Sequence, residues 1–167
     1  MGLRDRLKDA LGLGGKTHLE EGGAAPELGV ADASGKVWNV NDLRGRAAVI
    51  YFYPKDDTPG CTKEACSFRD AALSSGGAAL GDAIVLGVSC DAAASHRAFA
   101  QKFNLAFPLL ADTSGELSKR WGVRGVMGMP RRVTFVLDRE GRIARIFEPV
   151  KVDGHTEAVL AALRELP

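Results

Sequence analysis

The chain has 167 residues, 46% of them apolar and 26% charged, which suits one folded domain with a sizeable core and excludes a disordered or membrane-embedded chain. Its net charge of +1 offers no electrostatic basis for binding nucleic acid or an acidic membrane surface. No apolar run nears the ~20 residues of a transmembrane helix, and three cysteines are too few for a disulfide framework.

Met1–Leu13 sets Leu3, Leu7, Ala10 and Leu11 at helical spacing, with charges on most positions between them. It lacks the apolar stretch of a secretory signal, and Asp5 and Asp9 argue against a transit peptide, so a cytoplasmic chain is expected. Arg6 stands where a myristoylation site at Gly2 would favour Ser or Thr. The segment reads as a short helix docking on the domain or on a neighbour, in preference to a membrane-surface anchor. Gly14–Ala25 reads as linker, rich in Gly and Glu without periodicity. The expected division is residues 1–24 as helix and linker and residues 25–167 as the folded domain.

Ala31–Val40 predicts a hairpin turning at Gly35, and Asn41–Gly45 a connector with a short helical turn. Ala47–Tyr53 (AAVIYFY) is a continuous run of β-branched and aromatic residues, the signature of a strand buried on both faces. Pro54 ends it, having no N–H to give, and Lys55–Gly60 has turn composition. From Cys61 the period becomes helical, with Cys61, Ala65, Phe68 and Ala72 on one face. Ser74–Asp82 reads as a loop and Ala83–Cys90 as a second buried strand. Ala92–Phe103 reads as a helix capped by Asp91, Phe107–Ala111 as a strand and Ser114–Trp121 as a short helix. Arg132–Leu137 and Ile143–Glu148 pair around a turn at Asp138–Gly141, and His155–Leu166 closes the chain as an amphipathic helix. This order predicts a three-layer α/β sandwich in which strands 47–53 and 83–90 are parallel neighbours. Their carboxyl ends then share one sheet edge, near all three cysteines.

A cysteine in the first turn of a helix faces unpaired backbone N–H groups and the positive end of the macrodipole, and both favour thiolate over thiol. Ionisation alone gains about 30-fold at most, because a free cysteine is already a few per cent thiolate at neutral pH. Larger acceleration requires groups that position the substrate and stabilise transition-state charge. Cys66 follows five residues on, its Cα ~8–9 Å from that of Cys61 in an intact helix, whereas a disulfide spans about 7 Å at most. A bridge between them therefore needs the first helical turn to unwind. The spacing matches neither a thioredoxin CxxC nor a zinc site. His18, His96 and His155 lack ligand spacing, so no metal is expected. His18 and His155 read as surface residues, and His96 as partly buried and hydrogen-bonded beside Ala93, Ala100 and Phe103.

The segment Tyr51–Asp70, YFYPKDDTPGCTKEACSFRD, resembles the active-site segment of the peroxiredoxins, whose PxxxTxxC motif stands here as Pro54, Thr58 and Cys61. The string YPKDDTPGCTKEAC, with its second cysteine five residues on, is similar to the PrxQ or bacterioferritin-comigratory-protein subfamily. The resemblance runs from about Ala25 to Leu163. It implies an α/β thioredoxin-like fold with a central mixed sheet flanked by helices, and a thiol peroxidase acting on hydrogen peroxide and organic hydroperoxides. Cys61 would attack the terminal peroxide oxygen, with the Thr58 hydroxyl and the Cys61 N–H as donors. The family's arginine matches Arg132 of Arg132-Val133-Thr134-Phe135. Adjacent strand residues face opposite ways, which leaves Arg131 as a solvated arginine. The Cys61 sulfenic acid would condense with Cys66, and thioredoxin or a similar dithiol would reduce the disulfide. No cofactor, nucleic acid or integral membrane partner is implied, and a monomer is expected, with a weak dimer as the alternative.

Lys63 and Glu64, in the same turn, read as surface residues first. Cys90 reads as a small apolar core residue, with a backup resolving thiol as the sharper alternative. Two other function classes stay open. One is a disulfide reductase or chaperone-like redox protein on the same fold, against which the absence of CxxC speaks. The other is a non-catalytic sensor that passes oxidation to a partner.

Overall fold

The structure is a computed structural model that describes residues 2–10, 15–73, 80–125 and 127–167. Its centre is a five-stranded mixed sheet in the order β5-β4-β3-β6-β7. The strands are β3 (Ala48–Phe52), β4 (Ile84–Ser89), β5 (Leu109–Ala111), β6 (Val133–Leu137) and β7 (Ile143–Phe147). As expected, β3 and β4 are parallel, and β5 continues the parallel half. Strand β6 runs antiparallel to both β3 and β7, so the sheet is mixed. A hairpin of β1 (Val30–Ala31) and β2 (Val37–Trp38) precedes it, followed by a 3-10 turn at Val40–Leu43. Asp32 organises the hairpin turn, its carboxylate accepting the N–H groups of Ser34 and Lys36 and the Trp38 indole N–H.

All five residues of β3 are buried because both faces of the sheet are covered. On one face Ala48, Ile50 and Phe52 pack with Leu43, Leu86, Val88, Phe135 and Trp121. Trp121 is fully buried and meets the Phe135 ring edge-on at 5.0 Å, a contact worth about 0.5–1.5 kcal/mol beyond area burial. On the other face Val49, Tyr51 and Tyr53 lie under three helices, α2 (Pro59–Leu73), α3 (Ala93–Phe103) and α5 (His155–Arg164). The five-residue helix α4 (Glu116–Arg120) contributes Leu117 to the first face.

Three boundaries differ from the sequence reading. Helix α2 starts at Pro59, two residues before Cys61, because proline suits the first helical position, where no N–H partner is needed. Helix α3 is capped at Ala92, not Asp91, whose carboxylate is occupied by the Ser89 hydroxyl and the Asp56 N–H. The stretch read as linker is bonded to the domain from Thr17 onward. The Thr17 N–H donates to the Glu148 carboxylate at 2.9 Å and its hydroxyl to the Trp121 carbonyl at 2.6 Å. Gly22 and Gly23 exchange backbone bonds with Ile143, which covers part of the outer edge of β7. Helix α1 (Leu3–Ala10) forms, with Leu3 and Leu7 exposed rather than packed on this domain; residues 11–14 and 74–79 of the expected elements lie outside the described residues.

Candidate active site

The loop between β3 and α2 is held from below. The buried Asp56 carboxylate accepts the Tyr53 hydroxyl at 2.6 Å and the Ser95 hydroxyl at 2.8 Å, and meets His96 Nδ1 at 2.7 Å. His96, fully buried as part of α3, also contacts the Leu110 carbonyl through Nε2. Burial alone would raise the Asp56 carboxyl, but the hydrogen bonds from His96, Tyr53 and Ser95 outweigh it and hold it below the usual carboxylate range. The Asp56 N–H donates in turn to Asp91 at the end of β4. Asp56, Asp91 and His96 are close enough to suggest a metal site. Their side-chain contacts are hydrogen bonds to one another and to neighbours, which makes the cluster a loop anchor.

This anchored loop delivers Pro54, Thr58 and Cys61 to the carboxyl end of the sheet. The half-buried Thr58 donates its hydroxyl to the Lys55 carbonyl at 2.9 Å, and its own carbonyl accepts the Thr62 N–H at 2.8 Å. Cys61 is the third helical residue and is buried; a helix start leaves its N–H without an intrahelical acceptor. Arg132 Nη2 donates to the Cys61 sulfur at 3.2 Å, and Nη1 donates to Glu64 Oε1 at 2.8 Å. Gly60 makes this approach possible, since a Cβ there would stand 3.1 Å from Arg132 Nη2. A guanidinium and a helix N-terminus thus converge on one buried sulfur, and both stabilise negative charge on it.

Arg131 faces away from Cys61, as strand alternation requires. It is not the solvated arginine expected: it pairs with Glu148 at 2.9 Å and donates to the Gly122 and Arg124 carbonyls. Glu64 and His155 are also corrected, because both are buried rather than on the surface. Each carried a legible signal. Glu64 lies three residues after Cys61 on the buried face of α2, and His155 lies four before Val159 on the apolar face of α5. Lys63 is exposed and pairs with Asp153, and His18 is exposed, as expected. His155 Nε2 is 2.8 Å from the Thr134 hydroxyl and 3.8 Å from Glu64 Oε2.

Burial raises Glu64 from 4.5 to about 7 against the lowering influence of Arg132. Burial, and then the Arg132 charge, lowers His155 from 6.5 to about 4. The two act oppositely on stability. The Glu64 contribution is complete below pH 4.5 and is lost as pH rises to about 7. The His155 contribution is complete above pH 6.5 and is lost as pH falls to about 4. Each is on the order of 3 kcal/mol, so in the natural chain they largely offset across this window. Glu64→Gln leaves the His155 contribution unopposed, and urea unfolding should show that variant losing about 3 kcal/mol more than the natural chain on acidification from pH 6.5 to about 4.

All three cysteines are free, and Cys66 is half-buried within intact α2. Cys90 follows β4 and is only half-buried, its sulfur 3.7 Å from the Gly128 carbonyl; burial, with Asp112 nearby, pushes this thiol up. No helix among the described residues is long and apolar enough to cross a membrane.

Comparison with known proteins agrees with this geometry. The sequence pattern of the AhpC/TSA family matches residues 22–146. The chain is 38% identical to peroxiredoxin Bcp of Bacillus subtilis, over 89% of this chain and 97% of that one. It is 40% identical to the chloroplastic peroxiredoxin Q of Oryza sativa subsp. japonica, over 87% of this chain and 68% of that one. The crystal structure of peroxidoxin BcpB from Mycobacterium tuberculosis superimposes with a TM-score of 0.80 at 33% identity, covering 90% of this chain and 99% of that one. The chain belongs to the AhpC/TSA family as a peroxiredoxin of the Q/Bcp kind, a thiol-dependent peroxidase.

Proposed function

We propose that Cys61 is the peroxide-attacking thiolate and Cys66 the thiol that resolves its sulfenic acid, in a cycle that a thioredoxin-like dithiol completes. The observation that carries this reading is the 3.2 Å contact from Arg132 Nη2 to a buried sulfur in the first turn of α2. The thiolate attacks the terminal oxygen of hydrogen peroxide or an organic hydroperoxide, and water or an alcohol leaves. Arg132 and the Cys61 N–H supply donors where charge develops on the two oxygens, and the Thr58 hydroxyl joins them by turning its single O–H from the Lys55 carbonyl to the peroxide. Pro54 lines a shallow apolar pocket together with Gly125, Met127, Met129 and Pro130, which suits the organic group of a hydroperoxide.

In intact α2 the Cα atoms of Cys61 and Cys66 are ~8–9 Å apart by helix geometry. Condensation therefore follows unwinding of the first helical turn, which also brings the new disulfide within reach of a dithiol. The reading assigns this chemistry to residues 25–167 and to a cytoplasmic setting, where a dithiol reductant is available. The test is peptide mapping of the reduced chain after one equivalent of hydrogen peroxide. The expected product has lost two hydrogens and joins Cys61 to Cys66, with Cys90 still free. A Cys61–Cys90 bond would move the resolving role to Cys90, and unchanged thiols would overturn the reading.

A further inference from the structure

Arg132 is a single cation set between two acidic groups. Its Nη1 bonds Glu64 and its Nη2 bonds Cys61, and both partners are 1% exposed. No other cation compensates a second buried negative charge among the described residues facing Glu64. From α5, His155 is held neutral above about pH 4. From β3, burial and the negative charge of Glu64 and Cys61 push the Tyr51 phenol well up, so it stays neutral as well. On α2 itself, Lys63 turns outward to Asp153. One guanidinium between two buried acids favours one negative charge at a time.

A second observation places a proton on Glu64. Glu64 Oε2 is buried and has no hydrogen-bond partner among the described residues. A buried carboxylate with one oxygen unpaired is costly, whereas a carboxylic acid whose Oε1 accepts from Arg132 leaves less charge unsatisfied. The rise of Glu64 to about 7 is in the same direction.

We propose that Glu64 is the proton store of the Cys61 site: its carboxyl takes up the proton that Cys61 loses and returns it to the oxygen that leaves the peroxide. The proposal rests on the reading of Cys61 as the attacking thiolate. The sulfur lone pair forms the S–O bond to the terminal peroxide oxygen, and the O–O electron pair departs with the second oxygen. Cys61 is oxidised to the sulfenic acid, which keeps the hydroxyl hydrogen. The departing oxygen takes the Glu64 proton, directly or through one water, and leaves as water or alcohol. Glu64 ends as a carboxylate paired with Arg132, now that the sulfur is uncharged. When a dithiol has delivered two electrons and two protons to the disulfide, the Cys61 proton passes to Glu64 and the starting state is restored.

The proton can be counted without peroxide. In a chain carrying Cys66→Ser and Cys90→Ser, methyl methanethiosulfonate converts the Cys61 thiolate into an uncharged mixed disulfide and releases methanesulfinate. In weakly buffered solution at about pH 8, above the value of about 7 that burial and Arg132 give Glu64 beside an uncharged sulfur, roughly one proton per chain should be released, as an indicator dye reads it, and none when Glu64→Gln is added. Release from neither chain would mean that Glu64 is already ionised, and release from both would make the Cys61 thiol the source; either result overturns the proposal. Infrared difference spectra of the Glu64 chain give an independent reading, since the carboxylic-acid C=O band should vanish on modification, and its persistence would overturn the proposal. Hydrogen peroxide consumption by the same chain is measured alongside. Proton release without peroxide consumption would sink the peroxidase reading and leave the Glu64 proton standing.

Discussion

Cys61→Ser is expected to bring peroxide consumption down to the rate of ordinary thiols, because neither remaining cysteine has the surroundings of Cys61. Cys66 sits one and a half turns further along α2, beyond the helix start, and the Cys90 thiol is pushed up by burial. Serine preserves the volume and the hydrogen bond from Arg132 but offers a hydroxyl far less acidic than a thiol, so no anion forms to attack the peroxide. The fold should be unaffected, since the site's packing is supplied by Ala65, Phe68 and Tyr51. A peroxide assay and a thermal melt on the same sample separate the two effects. Retained turnover would place the chemistry elsewhere.

Arg132→Met should have the second largest effect, on activity and stability together. Removing a donor aimed at developing charge costs roughly 10²–10³ in rate where such donors have been deleted. The same change strips Glu64 of its only cationic partner among the described residues, and breaking a buried pair costs about 3–5 kcal/mol when the remaining group stays charged. That cost depends on pH. Without Arg132 the Glu64 carboxyl rises further, and a raised carboxyl loses stability as pH climbs through its folded value. The variant should therefore be far weaker than the natural chain at pH 8 and much closer to it at about pH 5. Adding Glu64→Gln to Arg132→Met should recover most of the stability at high pH and none of the activity. Urea titrations at both pH values and peroxide rates on the three chains check each part, and a double variant as unstable as Arg132→Met alone would refute the charge argument.

The sheet was legible because its signal is local. Ala47–Tyr53 and Ala83–Cys90 are unbroken apolar runs, and only strands covered on both faces need such runs. The position of Cys61 at a helix start was legible for a related reason, since Pro54 to Cys61 is one short segment whose turn and helix chemistry can be read in place, while the grouping of Pro54, Thr58 and Cys61 came from the family resemblance. Arg132 was reachable only through the family resemblance of Arg132-Val133-Thr134-Phe135, since alternation says that one of two adjacent arginines faces Cys61 but not which. Glu64 and His155 depart from expectation because their charge argues for solvent while their helical positions face the core. A glutamate on the buried face of a helix looks exposed until the arginine that pairs with it is known, and that arginine is 68 residues away. The anchoring of the loop by Asp56, Asp91 and His96 was hidden for the same reason, because its three members come from a loop, a strand end and a helix. The stretch from Thr17 to Ala25 shows the limit of composition, since glycine-rich sequence can still bond to a sheet edge through its backbone alone.

The central claim is that Cys61, held by α2 and Arg132, is where peroxide reacts. Its most direct test mixes reduced chain with one equivalent of hydrogen peroxide in a single turnover, for the natural chain and for Cys66→Ser, with dimedone present to trap sulfenic acid. The account predicts that both chains consume the peroxide at the same rate, well above that of free cysteine. In Cys66→Ser the dimedone adduct should sit on Cys61, while the natural chain should close to a disulfide. Consumption no faster than free cysteine, or an adduct on Cys90 with Cys61 unmodified, would contradict it.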